Sequence, residues 1–361
     1  MRTPATLYAL GCLACALAGA PAHAGETPPP DPKACTAITA DAERLACYDR
    51  AMGRFAPTAH SPLRTAPPPE SPQDPLRYAR TEPLPQASAP LSLLDSRWEL
   101  SPQSKLGNFH LRAYKPVYLL PAFYTSKTNQ TPSSPAPGHT VTRSEGLDKT
   151  ESKFQLSLKT KIWQGIFGDN GDLWMGYTQT SHWQVYNSDI SRPFRETNYE
   201  PEAILAFRTN YDALGWKGRL FGVGVDHQSN GRADPLSRSW NRVIFDIGLE
   251  REGWTLMLRP WIRVPESRRN DDNPDISDYM GRGDLLLVHD WGSGHELALM
   301  LRHSLRGGDR SHGAMQLDWA FPIKNELRGH VQIFSGYGES LIDYNHQATY
   351  VGVGVSMLEW Y

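Results

Sequence analysis

The chain has 361 residues, with 37 Lys or Arg against 39 Asp or Glu, so its formal charge is −2 and no global basic bias points to nucleic acid. A hydrophobic content of 39% and a mean hydropathy of −0.51 exclude a bundle of apolar membrane helices. With 11 Trp, 15 Tyr and 30 Gly, the composition suits an all-β protein, membrane barrels included, whose polar lumen dilutes the apolar belt.

Residues 1–24 read as a secretory signal peptide. Arg2 supplies the positive start, Leu7–Leu17 the short apolar stretch, and Ala22-His23-Ala24 a small-x-small cleavage site before Gly25. No lipid-anchoring cysteine follows the cut, so the mature protein is expected to be exported without a lipid anchor. Residues 25–55 form a small helical module. Cys35 and Cys47 remain after cleavage, an even pair in an oxidising compartment, which predicts a disulfide between them. Thr39–Met52 is expected to be helical with Thr39 as its N-cap. Residues 56–100 read as a semi-extended linker, because prolines recur too densely between Pro57 and Pro90 for helix or strand.

From residue 101 to 361 the pattern changes to period two. Twelve segments are predicted as strands: His110–Tyr124, Lys153–Ile166, Leu173–Gln184, Pro201–Tyr211, Gly218–Gln228, Trp240–Glu250, Trp254–Val264, Tyr279–Asp290, Glu296–Leu305, Ala314–Phe321, Leu327–Phe334 and Ala348–Met357. Many have the length needed to cross a bilayer at a tilt. In the last, Val351, Val353, Val355 and Met357 share one face while Gly352, Gly354 and Ser356 share the other. A soluble sandwich shows the same period, but its inner faces need a partner sheet, and the closing Trp360-Tyr361 fits the aromatic girdle of a membrane barrel. The expected fold is a transmembrane β-barrel.

One strand pair carries unusual polar residues. His227 and Ser229 share a face with Phe221, Val223 and Val225, and Asn241 shares one with Val243, Phe245 and Ile247. In a membrane barrel that face meets lipid, where polar groups cost free energy unless paired. An imidazole beside a hydroxyl can take its proton, and an amide can hold the imidazole tautomer without adding charge. Three polar residues at the membrane rim would show the same spacing, so the pattern alone leaves both readings open. His110, His289, His295 and His303 are scattered and lack metal-ligand spacing.

The wider blocks are more specific. YTQTSHWQ (Tyr177–Gln184), RPFRETNYEPE (Arg192–Glu202), DHQSNGRADPLSRSWNR (Asp226–Arg242), DDNPDISDYMG (Asp271–Gly281) and FSGYGESLIDYNHQ (Phe334–Gln347) resemble outer-membrane phospholipase A. The likeness spans about residues 105–361 and leaves the disulfide module and the linker as additions. It implies a twelve-stranded antiparallel barrel in the bacterial outer membrane. The activity implied is calcium-dependent hydrolysis of acyl esters, at sn-1 and sn-2, in phospholipids and lysophospholipids. It further implies that Ser229 is the nucleophile, His227 the general base and acid, Asn241 the orienting amide, and Gly231 the N–H donor to the oxyanion.

Ser237 and the Arg232 carbonyl match calcium ligands of an active homodimer, with Ser191 given by the second subunit. Asp234 and Asp272 match the calcium ligands of a resting monomer, and Gln179 a dimer contact. Carbonyls, hydroxyls and carboxylates are the hard oxygen donors calcium prefers. A non-enzymatic barrel, porin or adhesin, is the alternative function; a secreted β-sandwich binding protein is a third.

Overall fold

A computed structural model describes residues 31–52, 92–324 and 327–358. The signal peptide, the linker as far as residue 91 and the terminal Trp360-Tyr361 lie outside the described residues. The chain divides into two compact units, residues 1–73 and 74–361.

In the first unit a 3-10 turn, Pro32–Ala37, precedes helix α1, Asp41–Ala51, and the Cys35–Cys47 disulfide joins them with Cα atoms 5.6 Å apart. Both cysteines are buried. The helix starts later than expected: Ala40 occupies the N-cap and offers no side-chain bond, while Asp41 and Glu43 sit in the first turn, where carboxylates favour the positive end of the helix.

The second unit is a closed barrel of antiparallel strands. The first wall strand, β1, comes in two pieces, Leu111–Ala113 and Val117–Thr125, both paired with β2, Thr150–Trp163. Eight strands continue around the wall: β3 Asp172–Trp183, β4 Phe194–Ala213, β5 Trp216–Ser229, β6 Ser239–Arg251, β7 Trp254–Arg263, β8 Gly283–Asp290, β9 Glu296–His303 and β10 Gly313–Lys324. Then β11, Leu327–Tyr337, leads to β12, Gln347–Leu358, which pairs with β1 (Tyr350↔Thr125) and closes the ring. With the two pieces of β1 sharing one place, the wall has twelve strands.

The expected unbroken first strand is thus interrupted at residues 114–116. Pro116 has no N–H for the ladder, and the break turns Lys115 toward Glu200 and Glu202 at 2.9 and 3.0 Å. Similarly, β8 starts at Gly283 rather than Tyr279, because Ile276–Tyr279 forms a short helix.

The barrel is inside out relative to a water-soluble domain. Leu156, Val225, Ile262, Val353 and Met357 are exposed, whereas Lys153, Lys159, Lys161, Glu202, Asp226 and Arg242 are buried. Such an apolar exterior over a charged interior is the signature of a membrane barrel and contradicts a sandwich. No helix among the described residues is long and apolar enough to cross a membrane.

Residues 92–100 depart from the linker expectation. Ser92 Oγ accepts from Asp95 N at 3.2 Å and caps a further helix, α2, Leu93–Trp98. Leu94, Trp98 and Leu100 are buried with Trp174, Ile204, Leu220, Met257 and Leu286 of the wall. Gly248 makes this possible, since a Cβ there would stand 2.8 Å from Leu94 Cδ1. Leu94 N donates to Glu250 Oε1, near the β6–β7 turn. The helix therefore closes the barrel at the end opposite the last residues of β5.

Candidate active site

Strand β5 runs from Trp216 to Ser229, and buried and more exposed residues alternate from Leu220 to His227, so Phe221, Val225 and His227 face out and period two carries Ser229 to the same face. Its register with β6 sets His227 opposite Asn241 and Ser229 opposite Ser239. On the other flank Ser229 pairs with Tyr199, and Tyr199 with Gln179. One row on the outer wall therefore carries Gln179, Tyr199, Ser229 and Ser239, with His227 and Asn241 one step below it.

His227 Nδ1 and Asn241 Oδ1 are 2.8 Å apart. Asn241 Nδ2 donates to Glu266 Oε1 at 2.9 Å, which fixes the amide with its oxygen toward the ring. The proton then sits on His227 Nδ1, and Nε2 keeps its lone pair. Neither Nε2 nor Ser229 Oγ has a hydrogen-bond partner among the described residues, and such bonds commonly tighten only around substrate. Glu266 is half-buried, and burial pushes its carboxyl above the usual range against the opposing bond from Asn241.

Beyond Ser229 the loop is pinned by Asn230, whose buried amide accepts from Arg238 N at 3.0 Å and donates to the Leu236 carbonyl at 2.8 Å. Gly231 follows with φ +61°, and a Cβ there would lie 3.2 Å from the Tyr199 ring. Glycine meets both demands. Its N–H has no acceptor among the described residues, so it remains available at the same edge as Ser229.

Three of the expected calcium ligands converge. Ser237 Oγ donates to Asp272 Oδ2 at 2.6 Å, and His139 Nε2 lies 3.0 Å from Asp234 Oδ1 and 3.1 Å from Asp272 Oδ1. Hydroxyl and carboxylate oxygens are the donor types a hard cation such as calcium prefers, and here His139 bridges the two carboxylates. Arg232 is held by bonds from its N to Asn230 Oδ1 and from Nη1 to the Arg195 carbonyl. Ser191 sits apart, in a turn with φ +66° where its N–H bonds the Ser188 carbonyl. Gln179 faces outward, accepts from Tyr177 Oη at 3.2 Å and donates to Ser181 Oγ at 3.3 Å.

A second acidic group, Glu200, Glu202 and Asp226, has ligand atoms within 4.8 Å of one another inside the barrel. Lys115 and Arg242 already occupy it: Arg242 lies 3.0 Å from Glu200, and its Nε donates to Asp226 at 2.8 Å. This group is a wall-to-wall ion-pair network rather than a cation site.

Sequence reasoning missed His139 and Glu266. His139 reaches the site from the loop between β1 and β2, a contact that no local spacing announces. Glu266 could have been found by extending the β6–β7 register past Arg263.

A family model described as phospholipase A1 matches residues 94–357. A Neisseria meningitidis serogroup B protein bearing the phospholipase A1 name is 38% identical over 89% of each chain. Phospholipase A1 of Escherichia coli K12 is 44% identical over 59% of this chain and 71% of its own. Among solved structures, the Salmonella typhi outer membrane phospholipase, a dimer with bound calcium, is 40% identical. It covers 70% of this chain and 94% of its own, with a TM-score of 0.62. An asparagine-to-alanine active-site mutant of the Escherichia coli outer membrane phospholipase A is 37% identical over 75% of this chain and 100% of its own, TM-score 0.64.

Proposed function

The chain belongs to the phospholipase A1 family, a phospholipid hydrolase carried on an outer-membrane barrel, and from that premise we propose that Ser229, His227 and Asn241 form its catalytic site. The observation that carries this reading is the His227–Asn241 bond on the lipid-facing wall, two residues from Ser229 on the same face. The asparagine changed in the Escherichia coli active-site mutant accords with it.

In this reading Ser229 Oγ attacks the ester carbonyl carbon while His227 Nε2 takes the hydroxyl proton. Asn241 keeps the other ring proton on Nδ1 and faces the imidazolium that forms. The Gly231 N–H stabilises the tetrahedral oxyanion. His227 then returns the proton to the departing glycerol oxygen, leaving an acyl-serine that water cleaves by the same route. Substrates are phospholipids and lysophospholipids, cut at sn-1 and sn-2.

Calcium is the proposed cofactor. Asp234 and Asp272 would hold it in a resting monomer; Ser237 and the Arg232 carbonyl, with Ser191 of the partner subunit, would hold it in an active homodimer. A bound cation there supplies positive charge to the developing oxyanion. Gln179 would bond across the same interface, where lipid offers no competing partner. Ser191 lies in the loop between β3 and β4, from which it would serve a second subunit.

A porin function is disfavoured by the lumen, which α2 and the ion-pair network fill. The test is fatty-acid release from phospholipid in mixed micelles, with and without calcium. Ser229→Ala should abolish release, and a sulfonyl fluoride should label Ser229 alone. Release that survives Ser229→Ala would refute the site. Turnover measured against protein-to-detergent ratio tests the dimer: full activity from a monomer would refute that part.

A further inference from the structure

Asn241 is an ambiguous partner for a catalytic histidine. The oxygen and nitrogen ends of its amide are nearly the same size, and a half-turn exchanges them. In one orientation Oδ1 accepts the His227 Nδ1 proton and leaves Nε2 able to take a proton from Ser229. In the other, Nδ2 donates to Nδ1 and moves the ring proton to Nε2, the wrong tautomer for a base. Asn241 also lacks the charge that would stabilise an imidazolium.

Glu266 answers both deficits. Val264 N donates to the Asn241 carbonyl at 2.8 Å, so the β6–β7 pairing continues past Arg263 and brings Glu266 alongside Asn241. Its Oε1 accepts from Asn241 Nδ2 at 2.9 Å. A carboxylate can only accept, so it admits one amide orientation. Glu266 forms no ion pair with Arg263, which bonds Asp271 at 2.6 Å and the Pro274 carbonyl at 3.1 Å. Resting on the site proposed above, we infer that Glu266 is a positioning residue that acts through Asn241, fixing the His227 tautomer and placing a negative charge at the far end of a Ser229–His227–Asn241–Glu266 chain.

The test is a double-mutant cycle on the full-length exported protein in mixed micelles at saturating calcium, with heat-dependent gel mobility confirming a folded barrel. Glu266→Ala should lower kcat about tenfold with KM unchanged, the scale of one hydrogen bond to a charged group. Glu266→Gln retains an acceptor but not the charge, and should lose less. In an Asn241→Ala background Glu266→Ala should cost nothing further, because the connection is already cut. Where that background turns over too slowly, the rate at which a sulfonyl fluoride labels Ser229 gives the same comparison. Equal losses in both backgrounds, or none in the parent, would overturn the inference. Activity retained by Ser229→Ala would instead remove the site on which it rests; a dead Ser229→Ala with a silent Glu266→Ala refutes this inference alone.

Discussion

Two clusters on the same strand pair show how differently a polar group can live in a membrane barrel. Asp226 and Arg242 face the lumen, where Arg242 bridges Asp226 and Glu200 while Lys115 holds Glu200 and Glu202. His227 and Asn241, their immediate neighbours in sequence, face lipid and form a single file that ends in a carboxylate on one side and an open nitrogen on the other. The lumenal cluster compensates charge with charge and has no vacancy for a substrate. The outer chain leaves one end free. A closed cluster holds a wall together, whereas an open-ended one suits the chemistry proposed above.

The contrast breaks first if turnover and stability do not separate. His227→Ala should reduce turnover on the order of 10⁶-fold, the scale for loss of a triad base, yet leave the temperature of the gel-mobility shift unchanged, since it removes a polar group from lipid. Arg242→Ala should behave oppositely. It leaves Asp226 and Glu200 without their guanidinium and should cost about 3–5 kcal/mol of stability, read as a lower shift temperature with turnover per folded molecule preserved. A combined loss of both properties in either variant would mean that the two faces are one machine.

Smaller changes sharpen the picture. Ser237→Ala removes the hydroxyl proposed to hold calcium in the active dimer, and should raise the calcium needed for half-maximal turnover about tenfold, measured by calcium titration of fatty-acid release. The smallest effect is expected from deleting residues 25–91, which should leave hydrolysis within about twofold and insertion intact. Extending that deletion to residue 100 removes Leu94, Trp98 and Leu100 from the barrel interior and should lower the shift temperature.

The barrel is legible in the sequence because lipid and lumen impose opposite chemistry on alternate residues. Period two alone therefore suffices to place His227, Ser229 and Asn241 on one outward face. What stays hidden depends on three-dimensional register or on crowding by neighbours. Helix α2 carries readable signals, Ser92 three residues before Asp95 and a Leu94–Trp98 pair one turn apart, but the prolines before it mask them. The break at Pro116 becomes intelligible only once Lys115 has carboxylates to reach. Glu266 is an ordinary loop acid until Val264 pairs with Asn241 and sets it beside the amide.

Ser229 is the last residue of its strand, and for the nucleophile proposed above that placement lets two reactants of opposite solubility reach one atom. The ester arrives sideways, dissolved in a two-dimensional fluid, so its supply follows surface mole fraction rather than bulk concentration. Water, needed to free the acyl group, arrives from above, where the strand gives way to the Asn230–Gly231 loop. A serine several residues deeper would be acylated and stay so, while one further out would seldom meet a lipid. The end of the strand is the shoreline where both halves of the reaction can be supplied.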